Sequence, residues 1–329
     1  MVRMAEDTKG KAVMQQKFTV DEKTRARLGR VAVLMGGFSS EREVSLSSGS
    51  EVLKALRDAG VDAVGIDPAE SSLSDLAAGH FDRAFIALHG KFGEDGTVQG
   101  ALEYLRLPYT GPGVRSSAIS MDKSVTCAIW RENGLPVARG MLVHDAEQAH
   151  AVYEALGGSV VVKPAREGSS IGVVKLRDAD ERTLHEAIAA SLKYGPVLVE
   201  ERFFGREFTV ALIEGKALPI IEIKAPEGDY DYTNKYTGDA VKYDCPAVLP
   251  ERVTQAIQSA CEKAFAAVGA RGWGRIDVMG REDGSFILLE INTSPGMTPH
   301  SLVPLAARAT GMSFPELCVH VALSARLDS

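Results

Sequence analysis

Cysteine is scarce in this 329-residue chain, and Cys127, Cys245, Cys261 and Cys318 lie far apart, with no C-x-x-C pair and no histidine at metal-site spacing. That pattern excludes a disulfide-stapled scaffold or a zinc ribbon and favours a reduced compartment, with packing as the plain role of each thiol. Long apolar runs are missing as well. Segments such as Val31-Ala32-Val33-Leu34-Met35 fall far short of the roughly 20 residues a membrane helix needs. Nor is there an excess of positive charge: 37 Lys and Arg against 44 Asp and Glu leave a net charge of −7. Neither nucleic acid nor a membrane surface is therefore expected as a partner, and any phosphate must be met by local residues. Two familiar nucleotide signatures are also lacking. Gly36-Gly37-Phe38-Ser39-Ser40-Glu41 does not fit G-x-G-x-x-G, and no Gly-Lys-Ser/Thr ending follows the glycine-rich loop near residue 168.

What is present is ordinary globular composition, 45% hydrophobic and 25% charged, at a length that suits two or three domains. Residues 1–28 are polar and lack an apolar signal core, so they read as a flexible extension and not as a secretory leader. Residues 29–120 alternate strand and helix: strand 30–35, helix 44–59, strand 63–66, a further helix and strand 83–87, which predicts a small parallel α/β domain on the substrate side. Residues 121–204 read as an α+β subdomain, with strands 160–163, 171–176 and 197–201 and a helix over 182–192. Residues 205–329 form the third unit: strands 208–213 and 217–223, a polar Tyr-rich segment 224–245, helix 251–268, two strands and one terminal helix. A structureless loop of about 20 residues usually means function or disorder.

The two late strands carry the sharpest chemical signal. Asp283-Gly284 is a hairpin-turn dipeptide, and a two-residue loop there puts Asp277 opposite Glu290, with Val278 opposite Leu289 and Ile276 opposite Ile291. Asn292, two residues on, shares the face of Glu290. Facing carboxylates destabilise a strand pair unless a cation lies between them, and oxygen-only ligands suit Mg²⁺. A solvated acidic strand face is the plain alternative, and a one-residue slip in register would remove the pairing. The loop Lys163-Pro164-Ala165-Arg166-Glu167-Gly168-Ser169-Ser170-Ile171-Gly172 has small residues that let backbone N–H groups approach an anion, although a simple glycine-rich turn would look the same. Lys123 and Lys163 could neutralise phosphate or could be surface lysines with buried stems. Arg275, close to Asp277, could meet developing negative charge or form a structural ion pair.

Eight ordered segments carry a resemblance that spans most of residues 29–327: Gly36 to Ser45 (GGFSSEREVS), Ala87-Leu88-His89-Gly90, Gly93-Glu94-Asp95-Gly96-Thr97-Val98-Gln99-Gly100, Leu107-Pro108-Tyr109-Thr110-Gly111, Met121-Asp122-Lys123, Arg166-Glu167-Gly168-Ser169-Ser170, Gly274-Arg275-Ile276-Asp277 and Glu290 to Thr298 (EINTSPGMT). The chain resembles the D-alanine–D-alanine ligases of the ATP-grasp superfamily. The resemblance implies a three-domain, mixed α/β and α+β ATP-grasp architecture that binds ATP and two Mg²⁺ ions, with Mn²⁺ as a substitute. It implies that Asp277, Glu290 and Asn292 bind the metals. Lys123 and Lys163 would meet the ATP phosphates, and Glu200, Glu201, Phe203 and Glu207 the adenine and ribose. Glu41 and His89 would line the first D-alanine site, and Ser301 with Leu302 the second. Arg275 and the Gly296 N–H would stabilise the tetrahedral intermediate, while Ser169, Tyr236 and Lys235 would belong to a loop and lid that exclude water, Tyr in place of Phe favouring dipeptide over D-alanyl-D-lactate. A cytoplasmic homodimer that makes a peptidoglycan precursor is the implied setting. Ligation of a different amino-acid pair, or a dehydrogenase-like or regulatory ligand-binding role built on the N-terminal α/β unit, are the alternatives.

Overall fold

Short β-branched runs punctuated by glycines become the strands of three separate sheets in the computed structural model, which describes residues 18–225 and 241–328. The first sheet is parallel, order β2-β1-β3, with β1 Arg30–Leu34, β2 Asp62–Ile66 and β3 Arg83–Ile86. The second is antiparallel, order β4-β7-β5-β6, from β4 Gly140–Val143, β5 Val160–Pro164, β6 Val174–Lys175 and β7 Val197–Glu201. In the third, β11 Lys242–Asp244, β10 Ile221–Lys224, β8 Arg206–Ile213, β12 Trp273–Gly280 and β13 Phe286–Asn292 lie side by side, with β9 Lys216–Ala217 also on β8. Every pair in that sheet is antiparallel.

The apolar faces of these sheets bury into distinct cores. Val160, Val162, Val197 and Val199 pack with Val152, Leu184 and Ile188 from helices Ala149–Leu156 and Glu181–Leu192. Phe208, Val210, Ile276 and Val278 pack with Trp130 and with Ile257, Cys261 and Phe265 of helix Glu251–Ala267. The largest core is shared between the ends of the chain: Val31, Val33 and Phe85 join Trp273, Met297, Val303 and Leu317. The last helices therefore return to the first sheet, and Arg326 pairs its backbone with Tyr109.

Several expected elements take another form. Residues 1–17 lie outside the described part, but residues 18–28 are not a flexible extension. Glu22–Leu28 is a helix capped by Asp21, with Leu28 fully buried and Val20 in the core. The strand expected over 171–176 shrinks to Val174–Lys175 because Ser169, Ser170 and Gly172 adopt positive φ, which no strand accommodates. The run 217–223 splits into β9 and β10 around Pro219, which has no N–H to give to a ladder. The polar segment after Lys224 contains a further edge strand, β11, whose mixed composition hid it. The single terminal helix is two, Leu302–Ala309 and Phe314–Leu323, separated at Gly311 (φ +91°) and restarted by a Ser313–Glu316 capping box.

The hairpin register holds where it matters, by two compensating departures. Arg281 N–H donates to Ser285 O at 2.8 Å, so the loop has three residues, closed by Gly284 at φ +87°. A bulge then leaves Leu289 unmatched: Val278 faces Leu288, not Leu289, while Asp277 still faces Glu290 and Ile276 faces Ile291. The bulge coincides with Leu288 N–H donating outward to Pro136 O at 2.8 Å.

Burial of the first helix is directly testable. Leu28→Ala should lower stability by about 2–5 kcal/mol, the usual range for a buried leucine. A thermal melt unchanged from wild type would mean that residues 18–28 do not belong to the folded unit.

Candidate active site

A cavity of about 610 Å³ opens where the three units meet. Of the residues singled out from sequence, Glu41 and His89 reach it from the first unit, and Lys123 and Ser169 from the second. Arg275, Glu290, Asn292, Gly296, Ser301 and Leu302 reach it from the third. Lys163, Glu200, Glu207 and Asp277 do not line this cavity. Glu201 and Phe203 border a separate, smaller one of about 290 Å³, where the Arg281 guanidinium stacks 3.9 Å over the Phe203 ring. Lys235 and Tyr236 lie outside the described residues.

Asp277 is buried behind the cavity wall with its lone pairs engaged. Arg275, on the same face two residues earlier, grips it through Nε and Nη2, both at 2.8 Å. Thr209 Oγ1 donates at 2.6 Å and Asn292 Nδ2 at 3.2 Å. Glu290, its cross-strand neighbour, lies 3.3 Å from the Lys123 ammonium. The cationic compensation that facing carboxylates require is thus supplied, in this structure, by Arg275 and Lys123. Among the described residues no group of three or more His, Cys, Asp or Glu converges as a metal cage.

Lys163 and Glu200 form a buried pair, Nζ to Oε2 2.5 Å, on the neighbouring strands β5 and β7. Burial alone would depress the lysine, but Glu200, with Cys127 and Glu290 behind it, outweighs that and holds the ammonium above its ordinary pKa. Cys127, whose Sγ sits 3.5 Å from Glu200 Oε1, is pushed up to about 12 by burial and by that carboxylate, which leaves an inert thiol.

The glycine-serine loop is pinned at its start. Lys123 N–H donates to Ala165 O at 2.9 Å, Lys123 Nζ to Glu167 O at 2.5 Å, and Arg166 Nε to Asp122 Oδ2 at 2.7 Å. At its tip Ser169 Oγ donates to Glu41 Oε1, across 128 residues of sequence, which carries the loop over to the first unit. Two consecutive serines in the left-handed region, at φ +49° and +60°, are the strained part of this closure. Glu41 itself stands at the start of helix Arg42–Asp58, its N–H held by Ser39 Oγ, which in turn donates to His89 O at 2.7 Å. Gly90 sits at φ +64°, a left-handed conformation that favours glycine, and a Cβ there would displace the Glu41 carboxylate, whose Oε2 would lie 2.3 Å away.

On the opposite wall, Gly296 packs so closely under Ser301 that a Cβ would come within 3.1 Å of its Oγ. Ser301 precedes helix Leu302–Ala309 without capping it through its side chain; its Oγ accepts from Thr298 N–H at 3.0 Å instead. Sequence reasoning missed two participants. Glu94 stood in a quoted motif without a role; it accepts from Gly90 N–H at 2.8 Å and from Ser294 N–H at 2.9 Å. Ser48 sits inside a regular helix, where nothing in the sequence distinguishes it from the neighbouring serines.

Known proteins agree with this architecture. Residues 66–112 match the model described as D-ala D-ala ligase N-terminus, and residues 129–322 the one described as D-ala D-ala ligase C-terminus. The D-alanine--D-alanine ligase of Delftia acidovorans is 53% identical over 308 residues, covering 92% of this chain and 94% of that one. Among solved structures, the D-alanine--D-alanine ligase from Bacillus anthracis complexed with ATP superposes with a TM-score of 0.77 at 31% identity, over 90% of this chain and 96% of that one. VanG D-Ala:D-Ser ligase from Enterococcus faecalis gives 0.76 at 28% identity, over 89% and 98%. The parallel first sheet, the two antiparallel sheets and the cavity between them are accordingly those of an ATP-grasp enzyme, and the chain belongs to the D-alanine–D-alanine ligase family.

Proposed function

We infer that this protein joins two D-alanine molecules into D-alanyl-D-alanine at the expense of ATP, through a D-alanyl phosphate, as a cytoplasmic step toward peptidoglycan. The observation that carries the reading is the convergence in one cavity of Glu41 and His89, Lys123 and Ser169, and Arg275, Glu290, Gly296 and Ser301 from three units of the chain. No helix among the described residues is long and apolar enough to cross a membrane. A homodimer is the expected assembly, and residues 29–120, 121–204 and 205–329 are its three working units, the first now extended to include the helix Glu22–Leu28.

A carboxylate resists attack by an amine, so it must first be phosphorylated. Lys123 and Lys163 hold the ATP phosphates, Glu200, Glu201, Phe203 and Glu207 the adenosine, and the Ser169 loop with Lys235 and Tyr236 covers the reacting groups and keeps water from the acyl phosphate. Glu41 meets the ammonium of the first D-alanine beside His89, and Ser301 with Leu302 receives the second. When its amine attacks, the charge that develops on oxygen is met by Arg275 and the Gly296 N–H. Divalent cations fit the donor set here: Glu290 and Asp277 supply carboxylate oxygens, and Asn292 spends its Nδ2, not its oxygen, on Asp277. Bound Mg²⁺, or Mn²⁺ in its place, would neutralise phosphate charge, with Arg275 yielding part of its hold on Asp277.

The likeness to a D-Ala:D-Ser ligase keeps a second reading in view, in which the second amino acid is D-serine. Purified protein given ATP, Mg²⁺ and D-alanine should release ADP and form D-alanyl-D-alanine by mass spectrometry, with L-alanine inert. A mixed D-alanyl-D-serine product in competition would favour the second reading; ADP release with neither product would overturn both. Glu290→Gln should cut turnover by about 100-fold or more, equivalent to the several kcal/mol a metal contributes to charge stabilisation. Wild-type turnover at low Mg²⁺ would remove Glu290 from the metal site.

A further inference from the structure

Ser294 is gripped on both sides by the first unit. Its N–H donates to Glu94 Oε1 at 2.9 Å, its carbonyl lies 2.6 Å from His89 Nδ1, and its Oγ donates to Ile86 O at 3.3 Å. His89 is itself committed through both ring nitrogens, since Nε2 lies 3.1 Å from Ser48 Oγ. Ser48 Oγ in turn accepts from Met297 N–H at 3.1 Å.

The direction of these bonds follows from groups whose roles are fixed. A carbonyl oxygen can only accept, so His89 Nδ1 carries the proton toward Ser294. A backbone amide can only donate, so Ser48 accepts from Met297 and has its own hydrogen left for His89 Nε2. One arrangement satisfies every partner: a neutral imidazole protonated on Nδ1 alone. Burial favours that state by lowering the His89 pKa; Glu41 and the bond to the Ser294 carbonyl pull the other way, and Arg275 adds to the lowering.

We propose that Ser48, His89 and Glu94 act as one positioning unit that fixes the turn Ser294 to Met297, and with it the Gly296 N–H, and that His89 does this as a neutral Nδ1–H imidazole. The turn lies more than 190 residues away in sequence, and the three side chains are the first unit's means of holding it against the cavity. The catalytic consequence rests on the ligase reading; the tautomer does not.

Two measurements separate these parts. Nitrogen-15 NMR of histidine-labelled full-length protein without substrate, with the His89 signals assigned through His89→Asn, should show a neutral Nδ1–H ring unchanged from pH 5.5 to 8. An Nε2–H ring, or titration near the ordinary value of about 6.5, would overturn the proposal whatever the enzyme's substrate. In the kinetic arm, Ser48→Ala should reduce kcat about tenfold, leave the KM for ATP unchanged, and shift the His89 Nε2 resonance. Wild-type kcat in Ser48→Ala, or an equal rise in the KM for ATP from general loosening, would overturn it. Glu94→Gln, which puts an amide donor against one of the two N–H groups, should produce the same kcat-selective loss. Absence of dipeptide synthesis by the wild-type protein would count against the ligase reading alone.

Discussion

Two carboxylates, Asp277 and Glu290, stand opposite each other on adjacent strands, and the arrangement around the cavity follows from the need to offset their repulsion. Arg275 takes Asp277 from the same strand, and Lys123 reaches Glu290 from the start of helix Lys123–Glu132. Lys123 also holds the carbonyl of Glu167, so the charge balance of the hairpin is tied to the loop that covers it. Each of the two carboxylates is thus matched in this structure by a cation from the chain itself, Asp277 by Arg275 and Glu290 by Lys123.

The second organising constraint is the way distant segments meet. Parallel strands in the first unit bring the residues after β3, His89 to Glu94, to one end of the sheet, and the return of the final helices to that sheet sets the turn Ser294 to Met297 against them. Ser169 reaches the same place from the second unit through Glu41. The first unit therefore contributes to the cavity twice: directly through Glu41, and indirectly by the backbone it holds. Glu94 illustrates the cost. Burial and the nearby Glu41 push its pKa up to about 7, against the two amide hydrogen bonds that favour the carboxylate.

Much was legible in the amino-acid order alone, because it depended on local periodicity and side-chain chemistry. The parallel unit, helices 42–58 and 251–267, the acidic hairpin and the family segments all express themselves within a few turns of chain. The facing of Asp277 and Glu290 was reached with the wrong loop length and without the bulge at Leu289, and it survives because those two departures cancel. The division of the final helix, the split at Pro219 and the helix Glu22–Leu28 each had a local signal, in Gly311 with Ser313, in the proline itself, and in Asp21 before a helical run.

Other features had no local signal at all. That Lys163 spends its charge on Glu200, that Ser169 closes on Glu41, and that Ser48 and His89 hold a turn some 200 residues later depend on which surfaces the three sheets bring together. Sequence determined the chemistry available to this chain, because ligand type and strand period are properties of residues and their spacing. Tertiary structure alone decided which oxygen faces which cation, because a hydrogen bond of 2.6–3.2 Å is a relation in space that chain separation does not encode.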